Sequence, residues 1–262
     1  MSNSDASALA VDTRRGSIRE LVERQGRVGV SQLAARFGVS TVTIRKDLSA
    51  LDGKGAVLRA RGGALALRDS EDLNLTVKQS LHRAQKVRIA AAAARLIGDG
   101  DTIILDSGST TAEIAKQLRS MPLRSVNVIT NALNVALLLA DTPHVHLIML
   151  GGVLRSNSFS LSGPQAERAL DGLYADRLFL GVDSIDPDSG LMTQHLQEAQ
   201  LNLRMMRVAG QVVAVADASK LMRRSLSVIA PAERIDMLIT DRSARPESVA
   251  AFQKKGIAVL LA

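Results

Sequence analysis

The 262-residue chain contains no cysteine and no tryptophan, and only one tyrosine and four phenylalanines. Without thiols there is no disulfide framework, no thiolate nucleophile and none of the usual structural zinc sites. Five aromatic rings (Phe37, Phe159, Tyr174, Phe179 and Phe252) are too few for a base-stacking platform or a cation cage. Long apolar runs are missing too. Stretches such as Ile89–Ala94 and Val135–Ala140 fall far short of the roughly 18 residues that a membrane span requires. Met1–Ala6 offers neither the basic nor the apolar segment of a secretory signal, so a cytoplasmic protein with no membrane partner is expected.

What is present is a globular composition, 46% hydrophobic and 23% charged, in a chain long enough for two domains. The net charge of +7 is unevenly distributed. Residues 1–67 hold 11 Lys/Arg against 6 Asp/Glu, and residues 68–262 hold 22 against 20. A basic module joined to a nearly neutral one follows, and a basic surplus suits anionic partners.

Residues 1–13 read as a frayed tail. Ile18, Leu21 and Val22 then recur at helical spacing to about Gln25, where Gly26 stops the helix. Val28–Val30 is a short extended stretch. Ser31 suits the cap of a second helix buried through Leu33, Ala34 and Phe37 and closed by Gly38. Ser40 suits the cap of a third helix whose buried stripe is Ile44, Leu48 and Leu51. Two short helices about a Gly-containing turn predict a helix-turn-helix. The third helix then turns Thr41, Val42, Thr43, Arg45 and Lys46 outward, where a recognition helix meets base edges. Arg45 suits guanine or phosphate, Lys46 phosphate, and Val42 or Thr43 a thymine methyl. Extended runs at 56–58 and 64–67 about a Gly62-Gly63 turn predict a hairpin wing whose tip carries Arg59 and Arg61.

Ser31–Leu48 followed by Arg59–Ala64 resembles the winged helix-turn-helix of DeoR-type bacterial sugar-operon repressors, with turn, recognition helix and wing in that family's order. The likeness implies double-stranded operator DNA as partner and a homo-oligomer, dimer or tetramer, to match repeated half-sites. Ser40–Arg45 also resembles regulators of amino-sugar pathways, including N-acetylgalactosamine use.

Residues 68–85 read as a polar linker carrying part of a helix, which leaves 14–67 as the DNA-binding domain and 86–262 as a second domain. There a helix with Val87, Ala90, Ala91, Ala94 and Ile97 inward is followed by apolar strands at 102–105, 126–130, 145–150, 178–182, 212–216, 237–240 and 257–261, with helices between most of them. This pattern predicts a doubly wound α/β domain with a parallel sheet. Ligands bind such sheets beyond the carboxyl ends of the strands. Those ends carry Asp106, Ser107, Gly108, Ser109, Thr110 and Thr111, then Thr130 and Asn131, Gly151 and Gly152, Gly181 and Asp183, and Asp217 to Lys220. Hydroxyls and a glycine at a helix N-terminus suit an anion, although the same residues also suit a turn and helix cap. Neither a P-loop nor a dinucleotide fingerprint occurs, so no cofactor is expected.

These strand ends also stand in the order of the DeoR-type sensor domain, similar in fold to ribose-5-phosphate isomerase. The likeness implies a phosphorylated sugar as effector. Ser107–Thr111 would receive its phosphate, and Asp106, Asp183 and Lys220 would line its sugar end. A sugar-phosphate isomerase-like enzyme with an appended DNA-binding domain is the alternative. Against it, Leu180 and Ser184 stand where the isomerase motif carries acids, and no lysine lies between Arg177 and Lys220. Glu198 remains a possible base, although on its own it reads as a helix-surface residue. No catalytic residue is therefore assigned. His144 and His146 read as an edge or capped pair, so no metal site is assigned, and Met205-Met206 as core.

Overall fold

The computed structural model describes residues 3–53, 56–60, 62–66 and 74–262. The chain divides into two compact units, Met1–Leu81 and His82–Ala262.

In the first unit, α1 (Asn3–Gln25) leads to β1 (Arg27–Gly29), α2 (Val30–Phe37), α3 (Thr41–Gly53), β2 (Leu58–Ala60), β3 (Gly63–Leu65) and α4 (Leu75–Ser80). Ile18, Leu21, Val22, Val28, Leu33, Ile44, Leu48 and Leu51 form its core. The expected frayed tail is helical from Asn3 onward. Ala6, Ala8, Leu9 and Ala10 are strong helix formers, and an apolar stripe is not needed where propensity suffices. Ser31 is not a cap but lies within α2, whose N-cap is Gly29. The helix starts early because the Val30 N–H donates to the Gly62 carbonyl at 2.7 Å and the Val30 side chain enters the core. Gly38 closes α2 in the left-handed conformation.

The wing also differs in detail. β1, β3 and β2 form an antiparallel sheet in that order, with Arg59 opposite Ala64 and Ala60 opposite Gly63. Gly62 therefore lies in the turn, Gly63 belongs to a strand, and Arg59 is a strand residue rather than a tip. Arg61 lies outside the described residues. A Cβ on Gly63 would overlap the Val28 carbonyl oxygen, and this close approach forces glycine there.

The second unit runs α5 (Arg83–Ala94), β4 (Thr102–Leu105), α6 (Ser109–Leu118), β5 (Val126–Thr130), α7 (Leu133–Leu139), β6 (Val145–Met149), β7 (Val153–Arg155), β8 (Ser160–Ser162), α8 (Pro164–Arg168), β9 (Ala175–Gly181), β10 (Ser184–Asp186), β11 (Gly190–Thr193), α9 (Leu196–Val208), β12 (Ala209–Val215), β13 (Ser227–Ala230), β14 (Met237–Thr240), α10 (Pro246–Lys254) and β15 (Ala258–Leu261). Seven parallel strands form one sheet in the order β15-β14-β12-β9-β4-β5-β6. Strand alternation splits the core between its two faces. Ile103, Leu105, Val128, Phe179 and Val213 meet α5, α6 and α7 on one side. Ile104, Ile129, Leu178, Leu180 and Ala214 meet α8, α9 and α10 on the other, with Met205 and Met206 among them.

The predicted α5 face is rotated. Lys86, Ile89, Ala90, Ala93 and Ala94 are buried, while Val87 and Ala91 are only half-buried. Two antiparallel additions were not expected: the β7–β8 hairpin and the small sheet β10-β11-β13. His144 immediately precedes β6, and its Nε2 pairs with the Leu118 carbonyl at 3.0 Å. Among the described residues, no helix is long and apolar enough to cross a membrane, and no group of three or more His, Cys, Asp or Glu is placed to hold a metal.

Gly63→Ala is expected to destabilise the first unit by about 1–3 kcal/mol, the usual range for overpacking. Hydrogen exchange should show lost protection over residues 18–66 and unchanged protection over the β4–β5 pair.

Candidate functional site

Two surfaces carry the residues singled out from the sequence. On α3 the Thr43 N–H donates to Ser40 Oγ at 3.1 Å, and the Ser40 and Thr43 hydroxyls pair at 3.0 Å, so both side chains shape the helix start. Thr41 is half-buried, whereas Val42 (58% exposed), Arg45 and Lys46 face outward. Neither Arg45 nor Lys46 forms an ion pair among the described residues. Their helix is oriented by the residue between them and the core. Asp47, 2% exposed, accepts Nε–H bonds from Arg14 at 2.7 Å and Arg15 at 2.9 Å, both on α1. Arg59 is committed differently from its expected role. Its guanidinium donates to Ser49 Oγ at 2.8 Å and its N–H to Asp52 Oδ1 at 3.1 Å, tying β2 to α3.

In the second unit the strand order reverses between β4 and β9, and the crevice at such a switch point is where doubly wound sheets bind ligands. Asp106 leaves β4 there, its N–H still donating to the Phe179 carbonyl of β9 at 3.2 Å. Its carboxyl is buried. Burial, reinforced by the nearby charge of Glu198, pushes its pKa well above the ordinary range, against hydrogen bonds from Ser107 and the Gly181 N–H. Gly181 packs closely, with its Cβ position 3.2 Å from the Ser107 carbonyl oxygen. Gly108 is the N-cap of α6, and no side chain caps that helix. Ser109 and Thr110 are buried at its first turn, and Thr111 spends its hydroxyl hydrogen on the Gly108 carbonyl at 3.1 Å. Backbone N–H groups and hydroxyls thus converge at a helix N-terminus beside a switch point, an arrangement that attracts anions.

Asp183 accepts from Thr193 Oγ1 at 2.9 Å and Gln194 N–H at 3.2 Å, and Lys220 Nζ stands 3.8 Å from its other oxygen. Asp217 caps the turn that carries Lys220. Its burial raises its pKa, but the charges of His82, Lys220 and Lys86 prevail and hold it below the ordinary value.

Several of the residues expected to meet a ligand make contacts within the protein. Thr130 is fully buried, donates to the Leu105 carbonyl at 2.7 Å and accepts the Ala132 N–H at 3.1 Å, so its hydrogen is unavailable to a ligand. The Asn131 amide nitrogen holds the Leu161 carbonyl at 3.2 Å. Gly151 is exposed with open space around it, whereas Gly152 lies where a Cβ would come within 2.5 Å of the Ser162 carbonyl oxygen and so serves the β7–β8 hairpin. Asp186, not among the expected contacts, accepts N–H bonds from Asp188 and Ser189 and closes the β10–β11 turn.

Four residues were missed. Glu198 is not on a solvated helix surface. It is mostly buried and receives hydrogen bonds from Ser160, Ser158 and Arg155 of the β7–β8 hairpin, which carried no sequence signal. Asn202, one turn further along α9, donates its amide to Asp106 Oδ1 at 3.2 Å when oriented to satisfy its neighbours. Lys86 was legible as the residue one turn ahead of the Ile89–Ala90 stripe. Asp241-Arg-Ser243 repeats, after β14, the Asp217-Ala-Ser219 pattern after β12, with the Asp241 carboxylate accepting the Ala218 and Ser243 N–H bonds.

A winged helix-turn-helix unit preceding a doubly wound α/β unit is the architecture of a transcription regulator. Residues 14–70 match the DeoR-like helix-turn-helix domain, and residues 81–242 match the DeoR C terminal sensor domain. The chain belongs to the DeoR family. It is 42% identical to the putative aga operon transcriptional repressor of Escherichia coli O157:H7, covering 100% of this chain and 99% of that one. It is 32% identical to the HTH-type transcriptional regulator UlaR of Salmonella arizonae, covering 94% and 97%. These relatives are named as regulators, not enzymes. Among solved structures, ribose 5-phosphate isomerase A of Methanocaldococcus jannaschii aligns with a TM-score of 0.40 at 21% identity, over 53% of this chain and 55% of that one.

The raised pKa of Asp106 has a definite sign. Between the ordinary carboxylate range and its raised value, the folded protein holds a proton that the unfolded chain has released. Stability from this group therefore falls as pH rises through that window and levels off above it. Asp106→Asn is expected to flatten this decline in a pH series of denaturant titrations, and an unchanged slope would count against it.

Proposed function

We propose that the chain represses a sugar-utilisation operon, and that a phosphorylated sugar in the strand-end site releases it from double-stranded operator DNA. The supporting observation is the outward face of α3, where Val42, Arg45 and Lys46 are exposed while Ile44, Asp47 and Leu48 fix the helix from behind. Thr41–Lys46 enter the major groove, Arg45 reading a base edge or phosphate and Lys46 holding phosphate. Ser40 and Thr43 act by setting the helix start. Arg59 braces the wing, and Arg61 reaches the backbone. A dimer or tetramer places two such helices on repeated half-sites, since one helix spans too little DNA to specify an operator.

In the second unit Ser107–Thr111 take the phosphate on the uncapped N-terminus of α6. Asp106, Gly181, Asp183 and Lys220 line the sugar end, with Lys220 and Asp183 already paired across the β9 and β12 ends. Asn131 and Gly152 shape the rim through the hairpin they support, with Gly151 exposed at its base. The charge balance of this unit suits a cytoplasmic sensor with a few local donors rather than a basic surface.

Lys46→Ala is expected to weaken binding to all DNA sequences and to reduce the salt slope by about one counterion. If Arg45 reads a base, Arg45→Ala also relaxes preference at one position by about 1–3 kcal/mol. Salt titrations of both variants check this, and unchanged slopes would remove α3 from the interface. Effector and operator must also oppose one another reciprocally, with a coupling of about 1–3 kcal/mol, or roughly 5–150-fold. Calorimetric titration of sugar phosphates with and without operator should show that ratio. Equal affinities would rule out the switch.

A further inference from the structure

The two carboxylate oxygens of Glu198 have unequal surroundings. Oε1 receives Ser160 Oγ at 2.6 Å, Ser158 Oγ at 3.1 Å and the Arg155 guanidinium at 3.3 Å, all from the β7–β8 hairpin. Oε2 accepts no hydrogen bond among the described residues, and the side chain keeps 12% of its surface open. A carboxylate offers about four acceptor positions, so Oε1 is saturated by the hairpin while the acceptor positions of Oε2 are left for a donor other than the described side chains.

Glu198 is linked to the strand-end site by two connections. Glu198 is close enough to Asp106 for its charge to act on that carboxyl. One turn along α9, the Asn202 amide bridges the Glu198 carbonyl at 3.3 Å and Asp106 Oδ1 at 3.2 Å. The hairpin itself is anchored on its other side to the end of β5. The Leu161 N–H donates to the Asn131 carbonyl at 2.7 Å, and the Asn131 amide returns a bond to Leu161. Asn131 is 1% exposed, and its Oδ1 has no partner among the described residues. The hairpin thus spans from β5 to α9 with an unused acceptor at each end.

We propose that Glu198 is a specificity-determining contact of the effector site: Oε2 accepts a hydroxyl or ammonium donor from the sugar end of the ligand, while Oε1 holds the β7–β8 hairpin. The proposal deepens the effector reading above and rests on it. It selects a phosphate monoester whose other end carries hydrogen-bond donors, and it makes the hairpin sense occupancy, because ligand and hairpin share one carboxylate.

The test uses the full chain, with fructose 6-phosphate, glucosamine 6-phosphate, ribose 5-phosphate and inorganic phosphate as probes. Glu198→Gln keeps an acceptor for the hairpin but turns the vacant oxygen into a donor. It is expected to weaken the best-bound sugar phosphate about tenfold or more while changing inorganic phosphate less than about threefold. Hydrogen exchange over residues 153–162 is expected to slow when that sugar phosphate binds the wild type, and not to respond in Glu198→Gln. Glu198→Asp, which retains the charge but withdraws it by one methylene, should lie between the two in affinity.

Equal sugar-phosphate affinity in wild type and Glu198→Gln overturns the proposal and leaves the effector reading standing. A parallel loss of inorganic phosphate binding, with faster hairpin exchange in the unliganded variant, also overturns it, because Glu198 is then structural. Failure of all four probes to bind the wild type instead refutes the effector reading, and the proposal with it.

Discussion

Every strand of the large sheet runs the same way, and the geometry of the second unit follows from that constraint. Parallel pairing sends each chain end to the same edge before a helix can return it, so seven carboxyl ends open side by side. β4 starts the sheet in the middle, the next two strands add outward on one side, and all later ones add on the other. Only between β4 and β9 do the two returning connections diverge, and there Asp106 and Gly181 leave their strands. Asp106 is buried because two strands flank it. Its neighbours can then act on it through a medium that screens little.

The first unit solves a different problem, that of presenting cations without letting them collapse onto the protein. Three arginines are committed to holding α3: Arg14 and Arg15 through Asp47, and Arg59 through Ser49 and Asp52. Arg45 and Lys46 stay exposed, while the two acids of α3 itself, Asp47 and Asp52, accept from Arg14, Arg15 and Arg59. A basic count alone would have treated these five residues as equivalent. Separation into braces and readers is a property of the packing.

Much of this was legible in the sequence, wherever a local pattern fixed the result. The stripe Ile44-Leu48-Leu51 set the face of α3, and the alternation of apolar strands with helices set the parallel sheet. The strand-end run Asp106–Thr111 was legible because the β-to-α turn is itself local. What escaped depends on pairing across distance. The β7–β8 hairpin is short, and its Glu198 anchor lies about 40 residues away along the chain. Thr130 looked like a ligand because its hydroxyl stood at a strand end, but a buried hydroxyl is satisfied first by the backbone around it. Ser31 looked like a cap because it stands just before the apolar positions Leu33, Ala34 and Phe37, but the helix begins one residue earlier, with the Val30 N–H held by the distant Gly62 carbonyl.

The central position of β4 also bears on how the molecule comes into being. Its partner β9 pairs across more than 70 residues of intervening chain, Ile104 with Leu178. Nearly all contacts of the helix-turn-helix, by contrast, lie within residues 18–66. Local contacts form fast and distant parallel pairings form slowly. At a synthesis rate of about 5–20 residues per second, on the order of ten seconds separate the emergence of the wing from that of β9. Each newly made copy therefore carries a finished recognition helix well before its central sheet can close.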